Sequence, residues 1–285
     1  MQIRARSQNM SKFSFAFSPC PNDTFMFEAI FNNRIDLRGY KFDIHLDDVS
    51  QLNRSAVMGQ FDISKISYSA YSLVSHQYQL LNSGSALGYN CGPLLIAKSK
   101  IDGKDIKNCS VAIPGVNTTA NLLLSLAFPE LSNKKEYIFS EIEDAIVKGD
   151  VDLGLIIHEN RFTYEKRGLV KIQDLGEYWE STTKCPIPLG GIAIKRLLPQ
   201  NVKEDIEAIL RDSIQFAFSN KEKVQAYVAS HAQEMNEKVM QSHIDLYVNQ
   251  QSILLDALAK QGIELLIKEI KYLYPGRIIQ YPIFL

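Results

Sequence analysis

The sequence has no excess of charge of either sign: 31 basic residues stand against 32 acidic ones, for a net charge of -1. Nucleic-acid binding draws on a clustered basic face, so none is expected. Long hydrophobic runs are also missing. No stretch approaches the ~18 apolar residues of a membrane helix, and no membrane role is expected. The four cysteines, Cys20, Cys91, Cys109 and Cys185, form no C-x-x-C pair, which removes the usual zinc and redox signatures. Reduced, mostly buried thiols are the expectation. G-x-G-x-x-G, Walker, G-x-S-x-G and H-E-x-x-H motifs are all absent, and no His/Cys/Asp cluster has metal-ligand spacing. Nothing in the sequence points to a nucleotide, a metal or a covalent nucleophile.

What is present is an ordinary globular composition, 46% hydrophobic and 22% charged over 285 residues. That suffices for a real core and for one large domain or two of usual size. The N-terminus, MQIRARSQNMSKFSFAFSPC, runs from basic to apolar to cysteine, like an exported lipoprotein. Its apolar run at 13–17 is only five residues long, against roughly 7–15 for a signal core. The cysteine also sits between prolines. Residues 1–11 are therefore read as a loose extension and the protein as cytoplasmic.

Strand-like and helix-like segments alternate along the chain. FSFAF (13–17), KFDIHL (41–46) and 61–66 are expected strands, and 23–31, 50–58 and 69–76 expected helices. Residues 81–92, rich in Gly, Ser and Asn, look like a boundary loop. GPLLIAKS (92–99), SVAIPG and 151–157 are further strands, with helices at 118–128 and 141–148; Gly149 is a natural helix stop. After GGIAIK (190–195), nearly everything from Lys203 onward is helical in pattern. Ile206, Ile209, Leu210 and Ile214 set the three-and-four spacing, and Leu254, Leu255, Leu258, Ile263, Leu265 and Leu266 repeat it. The fold class is α/β, mostly parallel, in two lobes. A larger lobe of 12–92 plus 196–285 and a smaller one of 93–195 enclose a cleft, where small molecules usually bind.

In such sheets ligands sit at the carboxyl ends of strands, and a helix N-terminus there favours anions. The turn SPCPNDT offers Asn22 or Asp23 as a helix cap, with Thr24 in the first turn; an ordinary N-cap is the plain alternative. IPGVNTTANLLL places Asn117, Thr118 and Thr119 at a helix start. One threonine suffices for a cap, so the doublet favours a carboxylate ligand. Ser64, Ser67 and Ser69 sit at a third handover, where serines are common, and Ser67 is kept as a candidate. Among the histidines, His45 suits surface or packing, His76 and His231 suit helix ends, and His243 is ambiguous within a helix. His158 differs, because it ends the apolar run VDLGLII. A histidine there suits proton transfer near neutral pH, and a satisfied capping histidine is the alternative.

Four segments, SPCPNDTF, GVNTTANLL, DLGLIIHENRFTYEKRGL and DLGEYWESTTKCPIPLGGIAI, occur in an order and spacing that resembles the 1,4-dihydroxy-6-naphthoate synthase family of the futalosine route to menaquinone. The resemblance spans about 13–247. It implies a fold like type II periplasmic binding proteins, cyclic dehypoxanthinyl futalosine as substrate, and no metal or organic cofactor. His158 matches the family's proposed catalytic histidine and Thr118–Thr119 its substrate-carboxylate position. Asn22 and Asp23 belong to its first motif. The expected partner is thus a small aryl carboxylate. A homodimer is compatible with the sequence, though no residue argues for one. A non-catalytic solute-binding protein and a chorismate dehydratase of the same pathway are the alternatives. Cys20 is expected to be a buried filler, with no metal partners and no adjacent base.

Overall fold

Two mixed β-sheets organise the chain. The computed structural model describes residues 11–102, 105–232 and 236–285. The extension expected at 1–11 lies outside these residues, apart from Ser11. In the first sheet, β1 (Lys12–Phe17) runs parallel to β2 (Lys41–Leu46) and β3 (Ile63–Ser67). Helices α1 (Pro21–Phe31) and α2 (Val49–Val57) connect them. After α3 (Tyr68–Val74) come the short strands β4 (Tyr78–Leu80) and β5 (Ala86–Gly88).

The chain then crosses to a second sheet. Its strands are β6 (Leu94–Ala97), β7 (Val111–Ile113), β8 (Lys134–Glu136), β9 (Leu153–Ile156) and β10 (Val170–Asp174), in the order β10-β6-β9-β7-β8. Three helices accompany it, α4 (Thr119–Ala127), α5 (Ile142–Lys148) and α6 (Leu175–Thr183). The chain returns through β11 (Ile187–Lys195), which completes the first sheet as β2-β1-β3-β11-β4 and also pairs with β5. Five helices follow: α7 (Gln200–Ser219), α8 (Lys221–His231), α9 (Glu237–Tyr247), α10 (Gln250–Ile253) and α11 (Ala257–Leu273).

Three expectations need correction. β11 lies in the first sheet, so 187–195 belong with the larger unit and not with 93–186. The sheets are mixed and not mostly parallel: β11 is antiparallel to β3, β4 and β5, and β6 is antiparallel to β9 and β10. The cause is the double crossing, since β6 and β11 carry the chain between sheets and run back against the βα ladders. The helical stretch also stops short of the terminus. Leu285 donates its N–H to the Leu80 carbonyl at 2.9 Å and Phe284 bridges Leu80, so the tail covers the edge left by β4.

Elsewhere local sequence and packing agree. In β1, Phe15, Ala16 and Phe17 are fully buried, and the Phe15, Phe17 and Phe27 rings pack at 5.0–5.1 Å. Ile206, Ile209, Leu210 and Ile214 form the buried stripe of α7. In α11 that stripe is Ala259, Ile263, Leu266, Ile267 and Ile270, whereas Leu254 and Leu258 are exposed. Gly149 ends α5 in the left-handed region, φ 86°, where glycine is favoured.

The first crossing is tightly built. A Cβ on Gly92 would lie 2.0 Å from the Gly176 nitrogen, so only glycine lets β6 begin against the start of α6. Arg161 clamps the same place. Its guanidinium donates to the carbonyls of Gly92 at 2.5 Å and Asn90 at 2.9 Å, and to Asp174 at 2.6 Å. Asp174 in turn caps α6 through the N–H groups of Gly176 and Glu177.

Candidate functional site

Because β1 and β3 run parallel, and β7 and β9 likewise, their carboxyl ends open together on one cleft. It holds about 700 Å³ of empty space, counting its open mouth. Asn22 and Asp23 reach it after β1, Ser67 at the last position of β3, Thr118 and Thr119 after β7, and His158 after β9. All six residues singled out in the sequence therefore line one space.

The first turn is built differently from expectation. Neither Asn22 nor Asp23 caps α1: Cys20 occupies the cap position and Pro21 the first turn, where proline's missing N–H costs nothing. Asp23 instead turns back. It accepts from the Ser18 N–H at 3.2 Å, the Ser18 hydroxyl at 2.7 Å, the Asn22 amide at 2.8 Å and the Lys65 ammonium at 2.8 Å. That fixes the Asn22 side chain, whose NH₂ faces Asp23. Its Oδ1, buried in the cleft wall, has no partner among the described residues. Thr24 is spent on the Cys20 carbonyl at 3.0 Å.

At α4 both threonine hydroxyls are already used. Thr118 caps the helix, accepting from the Asn121 N–H and donating to the Gly115 carbonyl at 2.7 Å. Thr119 donates to the Leu189 carbonyl at 2.7 Å and accepts from the Ser69 N–H at 3.3 Å. The pair is thus not a hydroxyl cradle. What α4 offers an anion is its backbone, since helix geometry leaves the Thr119 and Ala120 N–H groups without an intrahelical acceptor. The two Thr119 bonds also join the lobes, because Ser69 and Leu189 belong to the first. Gly115, at φ 146°, touches the same lobe: a Cβ there would lie 2.6 Å from the Ser50 hydroxyl.

His158 opens a 3-10 turn, His158–Phe162, directly after β9. Its φ of 58° is left-handed, uncommon outside glycine and held only where the surroundings enforce it. The ring packs edge-on against Phe139 at 4.9 Å. Burial pushes its pKa down to about 4, with Asp23 pulling it up and Lys65 pushing it further down. The imidazole is therefore neutral at pH 7, as a proton acceptor must be.

Cys20 has neighbours that its sequence surroundings hid. Its sulfur, a ring nitrogen of His158 and a carboxylate oxygen of Glu159 all lie within 4.8 Å of one another, a sulfur, nitrogen and oxygen set of the kind that can hold a metal. An imidazole base is thus adjacent after all. Burial, and then the Glu159 charge, raise the thiol well above its ordinary range. As it stands Cys20 is a protonated, buried thiol, poor both as nucleophile and as ligand.

Sequence reasoning missed three participants. Lys65, in the all-buried strand β3, lines the cleft and also donates to the Gly84 carbonyl at 3.1 Å. A lysine amid ISKIS was the available signal. Arg161, in the HENRF segment, anchors the turn that begins at His158. His243, left ambiguous, lies in the cleft wall with Tyr247. Of the remaining histidines, His45 is partly exposed beside Phe61, His231 ends α8, and His76 lies in the turn after α3.

Comparison with known proteins agrees with this architecture. A family described as menaquinone biosynthesis matches residues 13–272. A 1,4-dihydroxy-6-naphthoate synthase of Thermus thermophilus is 39% identical over 240 residues, 84% of this chain and 87% of that protein. One from Streptomyces coelicolor is also 39% identical, covering 82% and 84%. Among solved structures, a protein from Archaeoglobus fulgidus superposes with a TM-score of 0.87 at 31% identity, covering 92% and 97% of the two chains. The alkanesulfonate-binding protein of Xanthomonas axonopodis, bound to MOPS, superposes at 0.70 with 13% identity, covering 96% and 98%. That likeness shows the fold alone, a two-lobed periplasmic-binding-protein architecture. With the family matched over most of its length, the chain belongs to the menaquinone-biosynthesis family that includes the 1,4-dihydroxy-6-naphthoate synthases.

Proposed function

We propose that the chain is a carbon–carbon lyase that converts cyclic dehypoxanthinyl futalosine to 1,4-dihydroxy-6-naphthoate. One observation carries the reading: a neutral imidazole, His158, and the open N-terminus of α4 line the same cleft. The substrate's aryl carboxylate docks on the Thr119 and Ala120 N–H groups, favoured by the helix dipole. Asn22 Oδ1 accepts from a substrate hydroxyl. His158 takes a proton from the carbon beside the ketone, and the C–H electron pair forms the enolate. The enolate then returns its pair, the bond to the sugar-derived fragment breaks, and the fragment leaves with the proton from His158. Formation of the aromatic ring drives the step.

The contacts of Thr119 with the first lobe and of Gly115 with Ser50 support a cleft that closes over its ligand and keeps water from the intermediate. General-base help of this kind contributes roughly 10²–10⁴ in rate. We place the enzyme in the cytoplasm: the apolar run at 13–17 is the buried strand β1, which supports reading it as core and not as a signal segment. Incubation of the protein with cyclic dehypoxanthinyl futalosine, followed by mass analysis, tests the function. Appearance of 1,4-dihydroxy-6-naphthoate is the expected result, and unchanged substrate would overturn the reading.

A further inference from the structure

His243 is a polar side chain with no described hydrogen-bond partner. It lies on α9, only 1% exposed, and neither Nδ1 nor Nε2 has a hydrogen-bond partner among the described residues. The ring packs on Tyr247 at 4.6 Å and faces His158 at 6.1 Å between centroids, with the ring planes 31° apart. A buried polar group left unpaired is costly, and in a folded protein it calls for an explanation. An apolar ring would fill this position without that cost. The cleft supplies the explanation, because His243 lines it.

The chemistry of the position is specific. Burial, and next the neighbouring His158, push the His243 pKa well below the ordinary histidine value, so the ring is neutral. A neutral imidazole offers one N–H donor and one acceptor. It also adds no positive charge beside His158, which would weaken that residue as a base. Hydrogen bonds span about 3 Å each, so two rings about this far apart can address neighbouring atoms of one ligand.

We propose that His243 is a second catalytic residue, whose N–H hydrogen-bonds the ketone oxygen of the substrate as that oxygen becomes an enolate. The proposal rests on the function inferred above. His158 takes the proton from carbon, the C–H pair shifts into the enolate, and the charge reaching the oxygen is met by the His243 N–H. The two rings come from different lobes, His158 following β9 and His243 on α9, which packs on α1 and β5 of the first lobe. Because α9 also packs on the turn that begins at His158, proton acceptor and oxyanion donor already sit side by side where the two lobes meet.

The test compares His243→Phe, which keeps the ring volume and removes the N–H, with His243→Asn, which restores an amide donor. Turnover of cyclic dehypoxanthinyl futalosine is measured for both and for the unaltered protein, with thermal melts to verify folding. His243→Phe is expected to fold normally and to lose about 100-fold or more in kcat, the usual cost of one oxyanion donor. KM should change far less, and His243→Asn should recover part of kcat. An active parent with an unimpaired His243→Phe, or with His243→Asn as slow as His243→Phe, overturns this inference alone. Should His243→Phe fail to fold, His243→Asn decides: kcat well above that of His243→Ala supports the donor role, and equal kcat refutes it. An inactive parent overturns the functional reading, and this inference with it.

Discussion

The Lys65 ammonium lies 2.8 Å from Asp23 Oδ1 in the wall of the cleft, and the two side chains are only 7% and 1% exposed. This buried pair ties β3 to the turn that follows β1. Three neutral groups, the Ser18 N–H, the Ser18 hydroxyl and the Asn22 amide, satisfy the rest of the Asp23 carboxylate.

Lys65→Met should therefore be more damaging than the double variant. Removing one member of a buried pair leaves an uncompensated charge, at a cost of about 3–5 kcal/mol. Adding Asp23→Asn removes that charge and should restore much of the loss. Urea unfolding of the two single variants and the double variant measures the coupling. A Lys65→Met protein as stable as its parent would show that the pair contributes nothing.

The depressed pKa of His158 fixes the sign of a pH effect. The base must be unprotonated, and burial keeps it so down to a pKa of about 4. The value of kcat/KM, which reports the free enzyme, should stay level on acidification from about pH 8 to about pH 5 and fall only below that. An acid limb centred near 6.5 would mean that the imidazole is solvated in the free cleft.

Cys20→Ser should leave turnover within about threefold of the parent, because a buried thiol held protonated is not the attacking group. The thiol should also resist alkylation in the folded protein. Loss of turnover in Cys20→Ser, with His158 intact, would give the sulfur a direct part in the chemistry.

What was legible in the sequence followed from local rules. Thr118 caps α4, Gly149 stops α5, and the spacing of apolar residues set the buried face of α7. The turns at the ends of β1, β7 and β9 were visible because strand, turn and helix chemistry lie next to one another in the chain. What escaped was long-range. β5 is three residues inside SGSALGYN, and only its pairing with β11 makes it a strand. The antiparallel course of β11 depends on two crossings that no local pattern encodes. His243 sits on an amphipathic helix whose periodicity gives a buried face but not what that face meets. The Thr118–Thr119 doublet does line the cleft, but its hydroxyls are engaged, which only the hydrogen bonds to Gly115, Leu189 and Ser69 reveal.

The proposed reaction turns on His158 as the proton acceptor to a ligand held by the start of α4. The most direct measurement is turnover of cyclic dehypoxanthinyl futalosine by His158→Ala, alongside calorimetric binding of 1,4-dihydroxy-6-naphthoate to the same variant. A kcat lower by about 100-fold or more, with product affinity nearly unchanged, is the expected result. Near-parental kcat in His158→Ala would contradict it.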